Sequence, residues 1–177
     1  MPPEDFTMTM QDDPAMKEII DDFCKETNSL FVPLQKTLEN LEAAPTNTKE
    51  LERFGQMIDR IMGAAKSIGA TEIATFCELG KTIGYKASQT KDVPLLNVVV
   101  AILFDTIDLL SKMIAKLQTG NATPLRGLNT DAFVTRLRWL SDKFKNIDRA
   151  SCIVEDPDSK KNLSQASIDE LMNSLGL

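Results

Sequence analysis

The chain of 177 residues contains no histidine. That absence removes the commonest general base, the commonest metal ligand and the base of the usual nucleophilic triads. Any chemistry here runs on carboxylates, amides, lysines or groups brought by a partner, and neither a metal nor another cofactor is expected. Cysteine is scarce: Cys24, Cys77 and Cys152 are odd in number and widely spaced, giving neither a disulfide framework nor a zinc signature. They fit a reducing compartment, and a cytoplasmic location is expected. Eight glycines and eight prolines are too few for a loop-rich β architecture. Positive charge is in deficit, with 20 Lys and Arg against 26 Asp and Glu and a net charge of -6. Nucleic acid and anionic membranes are therefore not expected partners, because phosphate binding is driven by clustered Lys and Arg. The one locally basic stretch, Arg136 to Lys145, is interrupted by Asp142 and reads as a solvated helix face. The opening MPPEDFTMTMQDD lacks the basic and apolar regions of a secretory signal. The longest apolar run, Val93 to Phe104, is short for a membrane span and contains Asn97, so no membrane insertion is expected.

What is present is helical periodicity. After an acidic lead-in over residues 1–14, expected to be disordered, a pattern runs from Met16 to about Glu42. Its apolar positions are Ile19, Phe23, Leu30, Phe31, Leu34, Leu38 and Leu41, with Pro33 expected to kink or split it. A second helix is predicted from about Thr48 to Ser67, capped by Thr46 or Asn47. At about 100° per residue, Phe54, Met57, Ile61, Ala64, Ala65 and Ile68 face the core. Glu52, Gln56, Asp59, Gly63 and Lys66 fall together on the opposite, exposed side. A third helix follows the Gly69-Ala70 turn, with Ile73, Phe76, Cys77, Leu79 and Ile83 inward. A fourth starts at Asp92-Val93-Pro94, since proline is tolerated in a first turn. Leu96, Val99, Leu103, Leu110, Ile114 and Leu117 keep its near-heptad spacing. A fifth runs from Asp131 to Ile147 on Phe133, Leu137, Leu140 and Phe144, with Trp139 assigned to core or groove packing. Residues 150–162, ASCIVEDPDSKKN, read as a linker. The predicted class is all-α: an antiparallel four-helix bundle, an additional C-terminal helix and a flexible tail ending in a short amphipathic helix.

The segment DRIMGAAKSIGATEIATFC, residues 59–77, resembles the central motif of histidine-phosphotransfer (HPt) domains, H-x-L-K-G-x-A-x-x-L-G-A-x-x-L-A-x-x-C. Gly63, Ala65, Ile68, Gly69, Ala70, Ile73, Ala74 and Cys77 fit it. Asp59 stands where the phosphorylated histidine would be, Met62 replaces the usual lysine, and Gly80-Lys81 departs from the Leu-Glu that often follows. The resemblance, over residues 16–118, implies an HPt-like bundle. It also implies a receiver-facing surface at Gly63 and Lys66, where the glycine lets a receiver domain come close. With Asp59 as a pseudo-phosphoacceptor, phosphotransfer through this chain is not expected.

The last residues, LSQASIDELMNSLGL, place Ile168, Leu171, Met172 and Leu175 at i, i+3, i+4 and i+7 on one stripe. Ser167 and Glu170 are spaced for a capping box, and Gly176 for a C-terminal stop. Behind a polar linker this reads as a helix-in-groove peptide. Through Ser164, Gln165, Ile168, Asp169, Leu171, Met172, Ser174, Leu175, Gly176 and Leu177 the tail resembles the C-terminal peptide of the CheZ chemotaxis phosphatase. It is also similar to the N-terminal peptide of the flagellar switch protein FliM. Such peptides dock on CheY-type receivers, so the resemblance implies a CheY-like receiver as partner. Three readings follow. In the first the tail captures a receiver and the chain carries no phosphate. In the second the chain is a CheZ-like phosphatase, with Glu52 and Gln56 as the acid and amide that position water and with Mg²⁺ supplied by the receiver. In the third it is a structural adaptor whose tail caps its own fold. The oligomeric state is left open by the sequence.

Overall fold

The Asp13 carboxylate accepts a hydrogen bond from the Ala15 amide at 3.0 Å, and Pro14 occupies the first turn, so the first helix starts there. In the computed structural model the described residues are 13–151 and 167–177, with the side chains of 148–151 set aside. The expected disordered lead-in and linker fall largely outside them. Among the described residues there are six helices and no strand: α1 (Pro14–Ala43), α2 (Thr48–Ser67), α3 (Thr71–Ala87), α4 (Val93–Gln118), α5 (Asp131–Ser151) and α6 (Ile168–Leu175). Asn47 caps α2 by accepting from the Lys49 amide at 3.2 Å, and Asp92 caps α4 by accepting from the Leu95 amide at 3.2 Å. Gly69, at φ 75°, makes the tight turn between α2 and α3.

The first four helices close into a ring in which α1 and α3 each pack on both α2 and α4. Neighbours run antiparallel: Asn40 meets Glu50 and Glu26 meets Arg60 between α1 and α2, while Asp59 meets Lys81 and Phe54 lies by Gly84 between α2 and α3. The core is continuous through the ring and includes fully buried Leu34, Leu38, Phe54, Ile58, Phe76 and Leu110. By length and composition α4 would be long enough to cross a membrane, but 56% of its apolar window is buried inside the bundle as the core helix. Beyond the ring, Leu125 is buried and its amide donates to the Glu72 carboxylate at 2.6 Å, tying the connecting loop to the start of α3. α5 then lies along α4, joined to it by an Arg136–Asp105 ion pair, and its Phe133 ring lies 5.8 Å from that of Phe76 on α3. α6 packs on α3 and α5.

Several expectations are corrected. Pro33 does not split α1, which continues through it with the proline exposed to solvent. In the same helix Ile19 is 47% exposed and Ile20 is buried instead. The stripe that packs is Ile20, Phe23, Cys24, Thr27, Leu34, Thr37, Leu38 and Leu41, two of whose places are held by threonines that a hydrophobicity count skips. In α2 the buried stripe is Leu51, Phe54, Ile58, Ile61 and Ala65, with Met57, Ala64 and Ile68 only half-buried. The helix is thus rotated by roughly 40° from the expected face, toward Ile58. Trp139, assigned to core or groove packing, is 43% exposed, and the Lys143 ammonium sits 5.4 Å from its ring centroid. The basic stretch on α5 is only partly a solvated face, since Arg136 pairs with Asp105 and Lys145 with Asp169.

Candidate functional site

Two regions hold the residues singled out by the sequence. The first is the outer side of α2. Glu52, Gln56, Gly63 and Lys66 are exposed there. Asp59 is not fully exposed as expected, because the rotation toward Ile58 carries it to the edge beside α3. Its carboxylate accepts the Lys81 ammonium at 2.7 Å, with the two side chains 45% and 37% exposed. Lys81 and Asp59 are the two charged departures from the HPt pattern, and they are in contact with each other. On the other edge Arg60 reaches across to Glu26 on α1 at 2.6 Å.

Gly63 has no internal reason to be a glycine. A Cβ built on Gly63 meets nothing within 4 Å, and the same holds for Gly55. The helix surface at Gly63 is therefore low by the absence of a side chain, and the space beside it is open. The Gly63 carbonyl is engaged by the Ser67 hydroxyl, which donates to it at 2.9 Å.

A cleft of about 320 Å³ opens between α1 and α2, with Gln56 and Met57 on one side and Pro33 and Lys36 on the other. Glu52 does not line it. The acid that shares the cleft with Gln56 is Glu50, 7% exposed, whose oxygens accept from Arg53 at 3.0 Å and from Asn40 at 3.4 Å. Sequence reading passed over Glu50 because a glutamate in a first helical turn is ordinary N-terminal chemistry. Only its burial against α1 sets it apart. Glu52 keeps the one-turn spacing to Gln56, with both side chains in solvent.

Among the described residues the two thiols, Cys24 and Cys77, are set aside as nucleophiles by burial. Desolvation pushes Cys24 up to about 11, with the nearby Asp21 charge adding to it, and pushes Cys77 up to about 12. Among the described residues no group of three or more His, Cys, Asp or Glu side chains converges as a metal site would require.

The second region is the tail. Ser164 and Gln165 lie outside the described residues. From Ser167 onward the helix is capped at both ends by its own residues: the Ser167 hydroxyl accepts from the Glu170 amide at 3.2 Å, and the Glu170 carboxylate accepts from the Ser167 amide at 3.3 Å. Gly176 closes the C-terminus at φ 75°.

No family model matches this chain. Nor does any curated protein or solved structure match it.

The tail stripe is placed against the chain's own bundle. Ile168, Leu171 and Met172 are 2%, 4% and 4% exposed, while Leu175 and Leu177 are half-buried. Asp169, flanking the stripe, accepts a hydrogen bond from the Ser141 hydroxyl at 2.9 Å and pairs with the Lys145 ammonium. The hydrogen bonds from Lys145 and then from Ser141 hold the Asp169 carboxyl below the ordinary value of 3.8. Ser141 was not marked by the sequence, and Lys145 was read only as part of a solvated basic face. Their signal was weak: a polar residue one position after the apolar Leu140, and a cation a turn further on.

Proposed function

We propose that the chain is a chemotaxis or two-component signalling protein that captures a CheY-like receiver through α6 and carries no phosphate itself. The observation that carries this reading is the construction of α6. Its capping box and left-handed Gly176 satisfy its end groups without help from the bundle, so the helix is portable and offers the same stripe of Ile168, Leu171, Met172 and Leu175 to any groove that fits. Burying each such side chain yields roughly 1.5–3 kcal/mol, against about 2–5 kcal/mol for ordering a segment and several more for association. A tail of this size binds a receiver weakly and reversibly, as a signalling contact requires.

The HPt-like reading of α1–α4 goes with it. The pairing of Asp59 with Lys81 supports a surface that does not carry phosphate, since the residue at the carrier position is a carboxylate already engaged by a cation of the neighbouring helix. An acyl phosphate there would be labile and would lack the Mg²⁺-binding acidic pocket of a receiver. The open space over Gly63 supports close approach by a partner domain at the same face.

The alternative reading is a CheZ-like phosphatase, in which the receiver supplies its metal and aspartyl phosphate and this chain supplies Gln56 and Glu52 to position water. Its support is the exposed amide of Gln56 at the mouth of the α1/α2 cleft. A third reading, an adaptor with a self-docked tail, is favoured by one observation, the burial of Ile168, Leu171 and Met172 on the bundle.

One experiment separates the three. The full chain is mixed with a phosphorylated CheY-type receiver, and complex formation and phosphate release are followed together, with Gln56→Ala and with residues 163–177 deleted. Receiver capture predicts a complex that the deletion abolishes while the bundle melts at nearly the same temperature. Phosphatase action predicts accelerated release that Gln56→Ala removes. Absence of any complex, with a bundle that no longer folds after the deletion, leaves the adaptor.

A further inference from the structure

The apolar stripe that makes α6 a bait is the stripe that is hidden. A partner cannot touch Ile168, Leu171 or Met172 while each is 4% exposed or less, so capture and docking compete for one surface. The docked state is fastened on its polar flank as well: Asp169 receives both the Ser141 hydroxyl and the Lys145 ammonium, and both donors belong to α5. Asp169 also lies in the part of the tail that resembles receiver-binding peptides.

We propose that the docking of α6 on α3 and α5 is a latch that gates receiver capture, with Ser141 and Lys145 closing it on Asp169. This rests on the receiver reading above and adds its regulation. The latch is separable from the fold because, among the described residues, α6 packs chiefly on α3 and α5, whereas the neighbouring helices of the α1–α4 ring pack directly on one another. Such a peripheral element opens locally, without global unfolding. After opening the tail stays tethered through residues 152–166, which extend at most about 50 Å. A captured receiver is therefore held beside the bundle, and the latch competes for the tail at the high local concentration that tethering gives. A change in the latch alone shifts apparent receiver affinity by the change in the open fraction.

The test uses the full chain and alters only the bundle side of the latch, leaving the bait intact. Amide hydrogen exchange of residues 168–175 is compared in the wild type, Lys145→Glu and Ser141→Ala, and a CheY-type receiver is titrated into each. Lys145→Glu replaces attraction by repulsion at an exposed pair, so exchange in α6 is expected to rise roughly five- to tenfold while that of α1–α4 stays unchanged. Receiver affinity should rise by the same factor. Ser141→Ala, which loses one hydrogen bond and nothing bulky, should move both readouts the same way by a smaller factor. Unchanged α6 exchange in both variants, or α6 exchange that tracks global unfolding in all three proteins, overturns the latch even where the receiver binds. Faster α6 exchange with no receiver bound by any of the three overturns the receiver reading and with it the gate, while the measured opening remains.

Discussion

Helices α2 and α3 each carry two glycines, and the two pairs sit in opposite surroundings. In α3 a Cβ added at Gly80 would lie 3.2 Å from Cγ2 of Thr106, and one at Gly84 would lie 3.8 Å from Phe54. In α2 a Cβ at Gly55 or Gly63 would meet nothing within 4 Å. A helical glycine costs about 0.8–1.0 kcal/mol relative to alanine. At Gly80 the fold uses the missing side chain, because Thr106 is fully buried and its hydroxyl donates to the Ile102 carbonyl at 2.8 Å, which holds the Cγ2 methyl in place. At Gly63 the same cost returns nothing to the bundle, and the space it leaves faces solvent where the sequence resemblance puts a partner. A glycine in the core is explained by its neighbours, whereas Gly63 and Gly55 have no neighbour in the bundle that explains them.

The strongest way to break this comparison is to fill both kinds of space. Gly80→Leu forces a branched side chain against Thr106 and is expected to lower global stability by about 1–3 kcal/mol or more, measured from the urea midpoint at unchanged slope. Full stability in that variant would mean that α3 and α4 are not in close contact at Gly80. Gly63→Ala and Gly55→Ala act in the other direction, each expected to raise stability by about 0.8–1.0 kcal/mol. The larger Gly63→Met should keep the fold, and if the α2 face meets a receiver it should weaken that contact while leaving α6 exchange untouched. Unimpaired receiver binding in Gly63→Met would reduce Gly63 to a glycine without a use.

Much of this contrast was legible in the chain, and its limits have physical causes. The spans of α2 through α5 followed from apolar spacing and from Asn47, Asp92 and Gly69, residues whose chemistry ends or begins helices regardless of tertiary context. The inward residues of α3, α4 and α5 followed as well, because those stripes are strongly apolar. The face of α2 was displaced because Ile58 lies beside Met57, and only packing between α1 and α3 chooses between neighbours of similar hydrophobicity. Thr27 and Thr37 were missed because a hydrophobicity count ranks threonine as polar, although its methyl group packs like an aliphatic one. The Asp59–Lys81 pair could be read only as two unexplained substitutions, since an ion pair between helices depends on a register that sequence spacing does not contain. The stripe on α6 stated that an apolar face needs a cover; it could not state that the cover belongs to the same chain.

A smaller effect is expected at that ion pair. Lys81→Ala removes a contact between two partly solvated groups, worth about 0.2–1 kcal/mol, and the bundle should barely register it. Its use is as a control: if Gly63→Met and Lys81→Ala both change receiver binding while global stability stays within 1 kcal/mol of its starting value, the α2 face acts through its surface and not through the core. A large stability loss in Lys81→Ala would show instead that the pair is part of the packing between α2 and α3.

Acid gives the mildest probe, and it separates the tail from the glycines, which carry no side-chain charge. The hydrogen bonds from Lys145 and Ser141 lower the folded-state pKa of Asp169, so the unfolded or undocked carboxyl takes up its proton first as pH falls. The latch is therefore at full strength above the ordinary value of 3.8 and is lost as pH falls from there through the lowered folded value. With the Asp169 side chain 41% exposed, solvent screens the pair, and the expected change is only a few-fold in the opening of α6. Amide spectra of residues 168–175 recorded from pH 5 downward should show α6 loosening before α1–α4 do. The step should be flattened in Lys145→Gln and kept in Gly63→Ala. If α6 and the ring loosen together at every pH, the helix is fastened by its three buried side chains alone, and Asp169 is a bystander on its flank.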